Sequence, residues 1–253
     1  MTTTSTATPV LYFLAGEVSG DTHGAGLLRA LRERAPEAVF LGRGGPRMAA
    51  LAPGPGFEDW CDQAAVLGLW EVLRKYGWFR AQFRRVLAEI VARRPDAVVL
   101  IDYPGFNLRL AKALRRAGYC GRLIYYISPQ VWAWHRSRIP QMARMLDLMI
   151  CIFPFEQPLF ARAGLKTVFA GHPLLEQLAA TRIPGAERDS QLIGLFPGSR
   201  AREIRKIFPA LLATAARLRV ERPALRFAVA AATPALANQL RSLRAALTPQ
   251  WQE

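Results

Sequence analysis

Apolar residues along this chain gather in short runs, each followed by a turn and then by a stretch with apolar positions three and four apart. The runs are Val10–Ala15, Val39–Leu41, Ala97–Ile101, Leu123–Ile127, Leu148–Phe153 and Thr167–Ala170. Their length and β-branching predict strands, and the spacing between them predicts helices. Ala97–Ile101 is apolar at every position, which is the mark of a strand covered on both faces in a parallel sheet. Repeated strand, turn and helix cycles of this kind predict a Rossmann-like α/β unit. From Leu69 onward a helical stripe takes in Val72, Leu73, Tyr76, Phe79, Phe83, Val86, Leu87 and Ile90, with Trp70 and Trp78 falling off it. The pattern lapses from Thr181 to Gln191, as expected of a linker. A fresh cycle then starts with a strand at Leu192–Phe196, a helix at Arg202–Val220, a strand at Phe227–Ala231 and a helix at Pro234–Leu247. Domains are expected at residues 1–180 and 181–253, the second holding only two strands.

Composition narrows the class. With 253 residues, 51% of them hydrophobic and 21% charged, the chain has the makings of a full core. Residues 1–9 are polar and lack the basic start and apolar middle of a signal segment. No apolar run approaches the roughly 20 residues needed to span a bilayer. Three separated cysteines, Cys61, Cys120 and Cys151, give neither paired zinc spacing nor a disulfide framework, and a reducing cytoplasm is the natural reading. The net charge of +15 is spread out, with 22 basic against 14 acidic residues before position 181 and 12 against 5 after it. A dedicated nucleic-acid module would concentrate that charge, so no nucleic-acid partner is expected.

Candidate chemistry sits where strands end. Asp102 follows Ala97–Ile101, and in open α/β sheets the carboxyl ends of strands are where ligands bind. From the residues alone it either faces a ligand or caps the next helix. Gly16-Glu17-Val18-Ser19-Gly20-Asp21 is a strand-to-helix turn whose free amides suit an anion, or else a tight turn with Asp21 as helix cap. Ser128 to Arg136 places Trp132, Trp134 and His135 at a strand end, as a stacking surface or as core. His172, in Gly171-His172-Pro173, is a further strand-end candidate beside a structural alternative. Gly198, Ser199 and Arg200 open a helix with amides and a guanidinium, a local arrangement for a diphosphate. Val66, Leu67, Trp70 and Trp78, ringed by arginine, suggest an interfacial anchor on anionic lipid, or else simple packing under a loop. No metal site is expected.

Five segments taken together resemble the lipid-A-disaccharide synthases, inverting glycosyltransferases of Gram-negative bacteria. They are Ala15 to Asp21, Ile101 to Asn107, Tyr126 to Trp134, Gly171 to Pro173 and Pro197 to Arg200. The resemblance implies two Rossmann-like domains of glycosyltransferase B type, the second incomplete in this chain. It also implies transfer of 2,3-diacylglucosamine from its UDP derivative to the 6-hydroxyl of 2,3-diacylglucosamine 1-phosphate, with release of UDP and no cofactor. Asp102 carries over as the base. Gly198, Ser199 and Arg200 fall on the nucleotide side, while Gly16, Glu17, Ser19, Gly20, Asp21, Asn107, Ser128, Trp132 and His172 fall on the acceptor side. Where many members have a second acid, this chain has Gly105, so the expectation rests on Asp102 alone. Implied too is a peripheral position on the inner face of the cytoplasmic membrane, with a homodimer left open. Family features expected beyond Glu253 would leave the chain with weak nucleotide binding and little turnover. The competing expectation is a non-catalytic lipid- or membrane-binding fragment.

Overall fold

The structure, a computed structural model, describes residues 8–64, 76–180 and 189–247. The chain divides into two compact units, Met1–Thr181 and Arg182–Glu253. In the first, strands β1 (Val10–Ala15), β2 (Val39–Gly44), β3 (Phe57–Asp59), β4 (Ala97–Ile101), β5 (Arg122–Tyr126), β6 (Leu148–Cys151) and β7 (Thr167–Phe169) form one sheet. Every pairing is parallel, in the order β3-β2-β1-β4-β5-β6-β7. Chain order therefore reverses between β1 and β4, where Ala15 pairs with Ile101.

The strict alternation of side chains along a strand sorts the core into two layers. Tyr12, Leu14, Val98 and Leu100 face one way. They meet α4 (Tyr76–Arg93) through Val86 and Ile90, α5 (Pro104–Arg116) through Leu110 and Leu114, and α7 (Ile139–Met145) through Met142. Phe13, Ala15, Val99 and Ile101 face the other way, onto Ala25 and Leu28 of α1 (Val18–Arg34) and Met48 of α2 (Pro46–Leu51). Burial on both sides is why β4 reads as an unbroken apolar run. Among the described residues the remaining α-helices of this unit are α3 (Cys61–Ala64), α6 (Val131–Trp134), α8 (Glu156–Ala161) and α9 (Leu174–Ala180).

Several elements differ from the sequence expectation. Helix α5, which the sequence pattern predicts from Phe106 to Ala117, starts two residues earlier, at Pro104, because proline fits the first helical turn and loses no hydrogen bond there. Helix α1 starts at Val18, so Asp21 lies in its first turn and is not its cap. Tyr76, expected on the buried stripe of α4, is 59% exposed, and Trp78, expected off it, packs against the core. Trp78 stands on the row of every fourth residue with Gln82, Val86 and Ile90. The polar Gln82 interrupts that row and hid it.

The second unit holds β8 (Leu192–Leu195), α10 (Ala201–Glu221), β9 (Arg226–Val229) and α11 (Pro234–Leu247). The strands pair in parallel, and Ile204, Phe208 and Leu240 form a small core.

Candidate active site

The carboxyl end of β4 is held in an unusual backbone. Asp102 and Tyr103 have φ of 45° and 51°, and Ile127, at the neighbouring end of β5, has φ of 65°. Left-handed backbone at a β-branched isoleucine is an outlier, and such strain persists only where surrounding contacts enforce it. Those contacts are present. The Asp102 amide donates to the Tyr126 carbonyl at 3.0 Å. The Asp102 carbonyl accepts from the Tyr125 hydroxyl at 2.6 Å and from the Asn107 side-chain amide at 2.7 Å, and the latter also reaches the Ile101 carbonyl at 3.3 Å. Three donors or acceptors thus hold the backbone of Asp102 and leave its half-buried carboxylate available.

Burial raises the Asp102 carboxyl above the ordinary carboxylate range, the charge on Glu17 pushes it further, and a hydrogen bond from the Tyr103 amide opposes both. Glu17 reaches it because β1 ends directly beside β4. At that junction a Cβ on Gly16 would lie 2.5 Å from the Tyr103 ring, so only glycine lets the ring lie across the strand end. The Tyr103 hydroxyl donates to the Ala64 carbonyl at 3.1 Å, and its ring stacks on Phe106 at 6.0 Å. Burial, then Glu17, then Cys61 push that phenol up to about 12. Ser19 is exposed, whereas Gly20 is buried against Ala15 and Ile101.

Asp21 and Asn107 act inward. The Asp21 side chain is 2% exposed and accepts the amides of Gly45 (2.9 Å), Arg47 (3.1 Å) and Met48 (2.9 Å), so it caps α2 and not its own helix. Three amides thus surround the carboxylate of this acceptor-side candidate. Asn107 is fully buried and holds the β4 end from behind, through the Ile101 and Asp102 carbonyls.

Sequence reasoning missed Glu156. At 1% exposure, it accepts from the Ser128 hydroxyl, from the Trp132 indole at 3.3 Å and from the Phe153 amide at 3.1 Å. An acid in the first turn of a helix reads as an ordinary dipole partner, and only the preceding strand end hints at more. It gathers the ends of β5 and β6. Trp132 meets Phe155 edge-on at 5.0 Å, Phe155 stacks on Phe153 at 5.7 Å, and Phe153 lies 5.8 Å from His172. The His172 Nδ1 accepts the Leu174 amide at 3.2 Å, and its ring lies 6.1 Å from His23, whose pKa is lowered by burial and then by His172. Asp102, Glu17, Ser128, Trp132 and His172 therefore share the carboxyl edge of one sheet.

In the second unit Gly198 has φ of 110°, and the Ser199 amide and Arg200 guanidinium both turn to Glu203, each at 3.1 Å. Glu203, another residue missed, thus takes up both donors. A Cβ on Gly198 would stand 2.6 Å from its carboxylate. Val66, Leu67 and Trp70 lie outside the described residues. Trp78 is half-buried, 5.9 Å from Trp60 and 4.9 Å from Phe79, so packing accounts for it. Among the described residues no cluster of histidine, cysteine or carboxylate side chains is arranged to hold a metal ion.

A parallel sheet whose candidate residues share its carboxyl edge, with Glu17 and Asp102 at the reversal between β1 and β4, defines a Rossmann-like α/β protein, and its solved likenesses make it one of glycosyltransferase B type. A putative UDP-N-acetylglucosamine 2-epimerase from Listeria monocytogenes matches with a TM-score of 0.63 at 13% identity, covering 97% of this chain and 68% of that one. The Staphylococcus aureus MnaA structure with UDP matches at 0.62 and 10% identity, covering 96% and 66%. At these identities the likeness concerns the fold. The chain belongs to the lipid-A-disaccharide synthetase family, whose model matches residues 11–253. The lipid-A-disaccharide synthase of Geobacter sulfurreducens is 40% identical over 245 residues, covering 93% of this chain and 62% of that protein. That of Pseudomonas aeruginosa is 38% identical over 237 residues, covering 91% and 62%. The chain thus spans somewhat over three-fifths of the length of these curated relatives.

Proposed function

We propose that this chain carries the acceptor side and part of the nucleotide side of a lipid-A-disaccharide synthase. The reaction joins the glucosamine of UDP-2,3-diacylglucosamine to the 6-hydroxyl of 2,3-diacylglucosamine 1-phosphate. Asp102 takes the proton from that hydroxyl as its oxygen attacks the anomeric carbon, and the bond to the UDP oxygen breaks with inversion. The observation that carries this reading is the Asp102 carboxylate at the strand reversal, on a backbone fixed from three sides, with burial and Glu17 raising its affinity for a proton.

An apolar groove beside Tyr103, of about 400 Å³, is lined by Tyr76, Phe79, Phe83 and Phe106 with Arg80 and Arg109 at its rim, and supports a place for an acyl chain. Gly198, Ser199 and Arg200 take the diphosphate once Glu203 swings aside. Among the described residues no helix is long and apolar enough to cross a membrane, and a peripheral place on the inner face of the cytoplasmic membrane completes the proposal. The test is Asp102→Asn in a version extended to the length of the relatives. UDP release should fall by roughly 10²- to 10⁴-fold, with acceptor binding retained. Undiminished release would overturn the assignment.

A further inference from the structure

Adjoining the acyl groove along α5 lies a second groove, between α5 and α7, of about 650 Å³. Leu108, Met142 and Met145 form its floor, and Arg109, Lys112, Arg116, Arg138 and Arg144 line it. These five cations are exposed and have no ion pair or hydrogen bond among the described residues. A sixth, Arg115, is already engaged by Asp147 at 2.5 Å and by the carbonyls of Met145, Tyr119 and Gly121. Asp147 is itself engaged by Arg115 and the Leu123 amide. The result is a basic trough with an apolar floor, and among the described residues that line it none is acidic.

We infer that this trough seats the headgroups of anionic phospholipids and so fixes the protein on a membrane surface. Guanidinium groups match phosphate oxygens with paired donors, and the floor accepts the glycerol end of the lipid. The trough runs from Pro104 to Arg116 along α5, a distance of about 18 Å at the helical rise. One sugar ring with its 6-hydroxyl at Asp102 cannot also bring its phosphate to Arg116 and Arg144 at the far end. Several separate phosphates, as on a bilayer, can engage the whole row. The two grooves share Gly105 and Arg109, so a membrane held in the trough lies next to the entrance for acyl chains. The inference rests on the membrane-associated reading above but not on turnover.

The test is co-sedimentation of the 253-residue chain with phosphatidylcholine vesicles and with vesicles containing phosphatidylglycerol. Binding is expected only to the latter, and it should weaken as salt shortens the screening length from about 30 Å to about 3 Å. Each basic side chain near an anionic surface contributes roughly fivefold. Arg144→Gln alone should therefore weaken binding about fivefold, and with Arg116→Gln and Arg138→Gln on the order of a hundredfold. All three are exposed, so circular dichroism and the thermal midpoint should not change. Equal binding to both vesicle types, unaltered binding by the triple variant, displacement by millimolar inorganic phosphate, or preference for single-stranded RNA would each overturn the inference. UDP release plays no part in the assay, so this result and that of Asp102→Asn fail independently.

Discussion

At the scale of single residues, two adjacent left-handed positions, Asp102 and Tyr103, each hold backbone strain on the order of 1–3 kcal/mol. Asn107 and Tyr125 offset it through the Asp102 carbonyl. The half-buried carboxylate adds an electrostatic cost of its own. Its folded pKa lies above the unfolded value, so the ionised form lowers stability above that pKa, and the loss vanishes as pH falls below the ordinary carboxylate range. Asp102→Asn keeps the shape, and asparagine tolerates positive φ. The variant should unfold at a higher temperature at pH 7, with the difference shrinking as pH falls through the raised pKa. A calorimetric midpoint below that of the parent at neutral pH would contradict this. Glu17 is the second cause of the shift. In the extended enzyme, Glu17→Gln should move the acid limb of the kcat/KM profile to lower pH, since the base then ionises sooner, and lower the plateau modestly because a weaker base accepts the proton.

At the scale of elements, the site is an edge of strand ends tied together by acids that sequence patterns treat as ordinary caps. Asp21 ties α1 to α2, and Glu156 ties the end of β5 to the end of β6. Replacing Glu156 with Ala leaves the Phe153 amide and the Ser128 hydroxyl without their partner in a buried place, which costs roughly 2–4 kcal/mol. The thermal midpoint should drop by about 2–4 °C for each kcal/mol lost, with a change in tryptophan emission as Trp132 loses its acceptor. An unchanged midpoint would show that Glu156 is dispensable. Most strands were legible to within two residues because a buried parallel strand has no polar interruptions, but β2 runs three residues past the expected Leu41, and the edge strand β3, three residues long with Glu58 and Asp59 in it, escaped notice. The strand-end position of Asp102 was legible for the same reason, while the roles of Glu156, Glu203 and Asn107 depend on partners 3–28 residues away. Helix α7, which builds one wall of the basic trough, escaped notice because two turns containing Pro140 give too short a period.

For the whole molecule, the two units differ in how well each buries its own apolar surface. The first covers both faces of a seven-stranded sheet. The second has a core of Ile204, Phe208 and Leu240, and leaves Phe196 77% and Val220 78% exposed. Its two strands are parallel, and parallel strands ordinarily occur with both faces covered. A unit of this size buries a small fraction of its chain surface even when well packed. Residues 1–181 expressed alone should therefore unfold in one cooperative transition. Residues 182–253 alone should keep helical circular dichroism, bind an apolar dye such as ANS and melt without a sharp midpoint, the behaviour of a chain with secondary structure but little fixed packing. A sharp calorimetric transition for the isolated 182–253 segment would show that its three-residue core suffices. In that case the exposure of Phe196 and Val220 would need a reason other than the want of a covering layer.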